Sequence, residues 1–245
     1  MAVPEWLNYV DEKRRLNFIK VLVEISKLQD KNDLNFILIG ALTLLMQGYL
    51  KYTAFWDIDL LFKDARRLKE FINKPKSPGL QIVNYDDELM ISEKITSFHT
   101  AWSFTKTWFN VDYILREGIF EFYTENIKQM KPYTTLVELK EGKFPIELYI
   151  AHAYDIFVEK VLSPRLEKDI DLKVDMSVDL RHIYIIYSKE LMNENFWEYV
   201  QQKVKRLNRE KEFKDKLLTI LRLAPEVGYQ DVEIPEFVKA IFQNK

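Results

Sequence analysis

The sequence predicts a mixed α/β (α+β) fold, a body of short strands with flanking helices followed by a helical C-terminal region. Three observations predict it. Apolar residues recur at helical spacing in the first thirty positions, β-branched and aromatic residues dominate from Leu80 to Leu115, and the pattern turns helical after Pro145. The boundary falls between an α/β domain over 1–145 and a helical domain over 146–245.

Each element has its own signal. Between residues 11 and 29, Leu16, Ile19, Leu22, Val23 and Ile25 are separated by Glu, Lys and Arg, which is the stripe of an amphipathic helix. Asn35-Phe36-Ile37-Leu38-Ile39 is short, apolar and ended by Gly40, so it reads as a buried strand. Ala41 to Leu50 resumes helical spacing, and Trp56 to Phe62 is a second strand with acids near its start. Ala65 to Asn73 is a helix that Pro75 and Pro78 end. Strands are expected at Leu80–Val83, Ile91–Phe98, Trp102–Phe104 and Trp108–Leu115, with Trp102, Phe104, Trp108 and Phe109 as core. Gly142 sets a hairpin within Leu136–Leu148. Helices then follow at 150–162, 177–189, 195–207 and 211–223, with a last one after Pro235. There is no internal repeat.

Composition narrows the function. Among 245 residues, 36 Lys and Arg against 38 Asp and Glu leave a net charge of −2, which excludes a chain that coats nucleic acid by bulk charge. A hydrophobic share of 47% is enough for a core and excludes a disordered tail. With 0 Cys, thiolate nucleophiles, disulfides and Cys-based zinc sites are impossible, and 3 His argue against a His-rich metal centre. The opening MAVPEWLNYVDEKRR carries acids early and has no apolar h-region, and no apolar run nears the ~18–20 residues of a membrane span. The expectation is a cytoplasmic protein without a membrane partner.

One constellation carries chemistry. An apolar strand runs into Gly40-Ala41 and a helix, and Asp57-Ile58-Asp59 then opens a second strand. Strand alternation puts Asp57 and Asp59 on one face, roughly 6.5–7 Å apart, with Ile58 turned into the core. Two carboxylates at that spacing can share divalent cations that prefer oxygen and keep waters and substrate phosphates. Gly40 permits a close turn, and the first N–H groups of the helix, Ala41 included, face a phosphate. A third acid is expected for two metals. Asp112, among the apolar residues Val111, Tyr113 and Ile114, is the candidate, with Asp86, Asp87 and Glu93 in competition.

This order (Gly-Ala, helix, Asp-x-Asp on a strand, a lone Asp on a later strand) resembles the nucleotidyltransferase superfamily, whose fold is shared with DNA polymerase β. It is most similar to small prokaryotic members of toxin or antitoxin type, over about residues 35–185. The resemblance implies a mixed β-sheet with flanking helices and transfer of a nucleotide from a nucleoside triphosphate to a hydroxyl, with Mg²⁺ or Mn²⁺. It further implies that Asp57, Asp59 and Asp112 hold metal, that Gly40 and Ala41 seat phosphates, and that Lys160 and Arg181, near Asp179 and His182, offset the triphosphate's charge. The acceptor could be an RNA end, a protein side chain or a small molecule, and family members of this type often work with a small protein partner. The chain departs from the family in having Ala41 where a Ser often touches phosphate, and Thr53-Ala54-Phe55-Trp56 where Arg and Thr are frequent. These departures favour the alternative, a non-catalytic binding protein of the same fold, such as an antitoxin-like partner or a nucleotide sensor. A third reading takes the basic run from Lys203 to Arg209 as an RNA-backbone footprint, although a solvated helix face explains it as well.

Overall fold

The computed structural model describes residues 3–91, 94–125, 132–164, 177–223 and 225. The chain divides into two compact units, Met1–Ala151 and His152–Lys245. It is a mixed α/β protein with a mixed sheet, flanking helices and a helical C-terminal region.

The first unit opens with a 3₁₀ turn, Glu5–Tyr9, and helix α1, Glu12–Leu28, whose N-cap Asp11 accepts from Lys13 N–H. Strand β1 (Phe36–Ile39) passes directly into a short helix α2 (Gly40–Met46), and β2 (Ile58–Phe62) leads to α3 (Ala65–Asn73), capped by Asp64. Strands β3 (Gln81–Met90), β4 (Ile95–Ser103) and β5 (Phe109–Arg116) complete a five-stranded sheet in the order β1-β2-β5-β4-β3. Among the four strand pairings of this sheet, β2–β5 is the parallel one. A short helix α4 (Ile119–Thr124) precedes a separate hairpin of β6 (Tyr133–Leu139) and β7 (Gly142–Leu148).

The sheet's two faces differ because side chains alternate along each strand. One face holds an aromatic core: Phe71 of α3 packs on Phe36, Phe62, Trp102 and Tyr113, and Phe18 of α1 packs on Phe109, with centroids 5.0–6.1 Å apart. Aromatic pairs at such distances contribute beyond their area. The opposite face carries Asp59, Asn110, Asp112 and His99. Beyond β1, the segment after β7 adds two hydrogen bonds, Leu38 N–H to Tyr149 O at 3.1 Å and Ala151 N–H to Leu38 O at 2.7 Å.

The second unit contains α5 (Ala153–Val161), α6 (Val178–Glu190), α7 (Glu194–Arg206) and α8 (Glu210–Leu223). Its core is also aromatic, with Phe157, Phe196, Trp197 and Phe213 fully buried. Among the described residues no helix is long and apolar enough to cross a membrane.

Several elements differ from the expectation. The helix after Gly40 ends at Met46 rather than near Leu50, and β2 begins at Ile58, leaving Asp57 just before it. The strand expected over Leu80–Val83 runs on to Met90, because pairing with β4 supplies its hydrogen bonds while both its faces stay open. Trp108, expected in the core beside Phe109, is 38% exposed, since neighbours on a strand point to opposite sides. The helix expected after Pro235, and Glu93, lie outside the described residues.

Candidate functional site

Burial alternates from Phe55 through Leu60: Phe55 and Asp57 are exposed and Asp59 is half-buried, while Trp56, Ile58 and Leu60 are buried. The two acids therefore share one side of the chain and Ile58 anchors the other. Gly40 stands at the β1–α2 junction with a φ of 76°, a conformation that glycine tolerates and L side chains avoid. It lies against Asp59. A Cβ at Gly40 would come within 2.1 Å of Asp59 Oδ2, so the missing side chain is the space Asp59 occupies.

The register carries the site across the sheet. Asp59 of β2 is opposite Asp112 of β5, Asp112 is opposite His99 of β4, and His99 is opposite Asp86 of β3. These four residues form a row on the open face. Asp57, one step before β2, accepts a hydrogen bond from Asn110 Nδ2 at 3.0 Å. Thus Asp59 lies against Gly40 and faces Asp112 across the parallel pair, and Asp57 is close enough to Asp112 to raise its carboxyl. Of the competing acids, Asp86 joins the row at its far end, whereas Asp87 is one residue out of step and opposite Phe98.

The site is electrostatically uneven. Burial holds the Asp112 carboxyl above the usual carboxylate range and Asp57 adds to this, while His99 pulls it down. His99 Nδ1 sits 3.1 Å from Asp112 Oδ1, the contact through which it lowers that carboxyl, and among the described residues no other group satisfies this buried oxygen. Tyr85 lies at a bulge in β3 with its ring 6.1 Å from that of His99. Burial, then the carboxylates of Asp112, Asp57 and Asp86, raise its phenol.

Sequence reasoning missed Asn110, His99 and Tyr85. Their roles depend on register and on a bulge, which leave no periodic trace in the sequence.

A donor set of three carboxylates and one imidazole, with one buried oxygen unsatisfied, fits a hard divalent cation. Among the described residues no three of His, Asp and Glu close into a ready cage.

Lys160 and Arg181 belong to the second unit. Lys160 of α5 is ion-paired with Asp179 in the first turn of α6, both side chains 12% exposed. Arg181 is half-buried. His182, next to it, is 1% exposed with neither ring nitrogen hydrogen-bonded, and burial followed by the nearby Lys160 charge lowers its pKa to about 3. The basic run is not a uniform solvated face. Lys203 is fully buried, 3.0 Å from Asp155 Oδ1, and Arg209 pairs with Glu212.

No family model and no curated protein matches the sequence. Among solved structures, the chain is similar to a candidate nucleotidyltransferase from Helicobacter pylori (11% identity, TM-score 0.40, covering 95% of this chain and 92% of that one). It is also similar to JHP933 from Helicobacter pylori (13% identity, TM-score 0.39, covering 95% and 90%). A third is an antigenic nucleotidyltransferase-like protein from Paracoccidioides brasiliensis (12% identity, TM-score 0.34, covering 81% and 92%). All three are distant.

Proposed function

We propose that the chain is a divalent-cation-dependent nucleotidyltransferase, moving a nucleotide from a nucleoside triphosphate to a hydroxyl. The observation that carries this reading is the pairing of Asp59 with Asp112 on adjacent parallel strands, with Gly40 set bare against Asp59. Asp57 and Asp59 would hold the cations, and Asp112 would join the second of them and help lower the pKa of the acceptor hydroxyl. When bound, Mg²⁺ or Mn²⁺ neutralises charge on the triphosphate and lowers the pKa of the attacking hydroxyl. Asn110 fixes the Asp57 carboxylate through its amide. Gly40 and Ala41 present backbone N–H groups to the phosphates. The residues contribute position and charge, which is what phosphoryl-type transfer asks of a protein. An RNA end, a protein side chain and a small molecule are all acceptors that such a site could serve, in a cytoplasmic protein of toxin or antitoxin type.

A second reading is a non-catalytic binding protein of the same fold. It is favoured by the absence of a ready metal cage among the described residues and by Ala41, which has no hydroxyl to offer phosphate.

Thermal melts and transfer assays with labelled triphosphates separate the two. Wild type should be stabilised by Mg²⁺ with triphosphate, by about 2.7 kcal/mol at 100 times the dissociation constant. Asp59→Asn should be as stable as wild type or more so without metal, yet lose the ligand-induced shift and all transfer. Ligand-induced stabilisation without transfer to any acceptor would favour the binding protein. A wild type that ignores both ligands, with Asp59→Asn destabilised, would make these acids structural.

A further inference from the structure

Phe55 is 80% exposed, the most of any large hydrophobic side chain among the described residues. A single exposed apolar side chain is ordinary, but this one is held in a fixed orientation two residues before Asp57. Its neighbour Trp56 is buried and anchored by its indole N–H to Tyr9 O at 2.9 Å, with Tyr52 packed on it at 5.3 Å. This anchor turns Phe55 outward, two residues before Asp57.

The ring is also held. The Arg14 guanidinium lies 4.7 Å from the Phe55 centroid and 4.5 Å from that of Phe109, so it is sandwiched between an exposed ring and a buried one. The same guanidinium donates to Trp108 O at 2.5 Å. Trp108 is itself 38% exposed and stands two residues before Asn110, the residue that grips Asp57. Arg14 thus ties the segment leading into Asp57 to the segment leading into Asn110, and each presents an aromatic ring to solvent. A ring whose orientation is already fixed loses little freedom on stacking.

We propose that Phe55, backed by Arg14 and flanked by Trp108, is a stacking platform for a nucleobase beside Asp57. The proposal rests on the nucleotidyltransferase reading and adds a residue to it. A flat aromatic surface with a cation beneath it suits any base, since every base has a π-face, and such stacking is sequence-tolerant. The base can come from the triphosphate or from a single-stranded nucleic-acid acceptor.

The test uses the full chain, Phe55→Ala and Phe55→Trp, with two probes in Mg²⁺: the four nucleoside triphosphates, and a fluorescent single-stranded RNA octamer. Melting temperature controls for folding, and an 80% exposed side chain should leave it unchanged. Phe55→Ala should weaken one probe by roughly ten-fold or more, in line with the loss of one base stack, and Phe55→Trp should restore it. Loss confined to the triphosphates identifies the donor base, and loss confined to the octamer identifies an acceptor base. Equal binding of both probes by wild type and Phe55→Ala would overturn the platform and leave the enzymatic reading standing. A wild type that binds neither probe would bring down that reading, and the platform with it.

Discussion

Two clusters of partly buried charge, one in each unit, are handled in opposite ways. In the helical unit, carboxylates have cations at hand: Asp155 has Lys203 at 3.0 Å and the Tyr199 hydroxyl at 2.6 Å, and Asp179 has Lys160. In the sheet unit, Asp59 faces Asp112 across parallel strands, Asp57 raises the Asp112 carboxyl, and the buried Asp112 Oδ1 has no hydrogen-bond partner among the described residues, with only the His99 imidazole 3.1 Å away. Closed pairs cement a structure, since their charges are already used. An acidic row with a raised carboxyl and an unsatisfied oxygen stores repulsion that a cation can relieve. His182 shows that the contrast is one of charge rather than of polarity. It is buried without hydrogen bonds, and stays neutral.

Breaking the closed pair should have the largest effect. Lys203→Met leaves Asp155 buried with only the tyrosine hydroxyl, and breaking a buried pair from one side typically costs about 3–5 kcal/mol. Urea unfolding of the full chain reads this directly. Lys203→Met combined with Asp155→Leu should recover much of the loss, because no buried charge is then left alone. A single variant as stable as wild type would mean that Asp155 finds water or another partner, and the contrast between the units would lose one side.

The next effect separates backbone strain from the site. Gly40 and Gly48 share a φ of 76°, but a Cβ at Gly48 meets nothing within 4 Å, whereas at Gly40 it strikes Asp59. Alanine at either position should cost about 1–2 kcal/mol for the left-handed backbone. Only Gly40→Ala should also abolish the Mg²⁺-induced rise in melting temperature. Equal Mg²⁺ responses in the two variants would detach Gly40 from the acidic site.

Legibility in the sequence followed the same division. α3 was readable to the residue, and α1 and β1 to within one, because their apolar patterns are local. Asp57 and Asp59 were readable as a pair because a strand alternates. β3 was not, since all but one of its ten residues are exposed and no alternation marks a strand that is wet on both faces. His99 entered the row only through cross-strand register, and Tyr85 only through a bulge. Lys203 looked like part of a solvated basic run because Asp155, its partner, is 48 positions earlier in the chain. Trp108 looked like core as one of an alternating packed set with Trp102, Phe104 and Phe109, yet Trp108 and Phe109 are adjacent and cannot both face inward.

The smallest effect is a pH dependence in the metal-free protein. Burial first, and then Asp57, raise the Asp112 carboxyl above its unfolded value of 3.8. A group with a raised folded pKa binds its proton more tightly folded than unfolded, so stability falls as pH climbs from that unfolded value through the folded one. Above that window the penalty is fully present, and at neutral pH the charge works against the fold. Asp112→Asn removes the titration. The variant should flatten the decline in stability above pH 3.8 and gain, at pH 7, on the order of a few tenths of a kcal/mol, in keeping with electrostatics at a site open to water. Added Mg²⁺ should reverse the ranking, because wild type gains from the cation and the variant has lost one of its oxygen charges. Urea midpoints at pH 4, 5.5 and 7, with and without Mg²⁺, give both comparisons. If Asp112→Asn were less stable than wild type at pH 7 without metal, the His99 contact would be acting as a closed ion pair. The two units would then differ in degree rather than in kind.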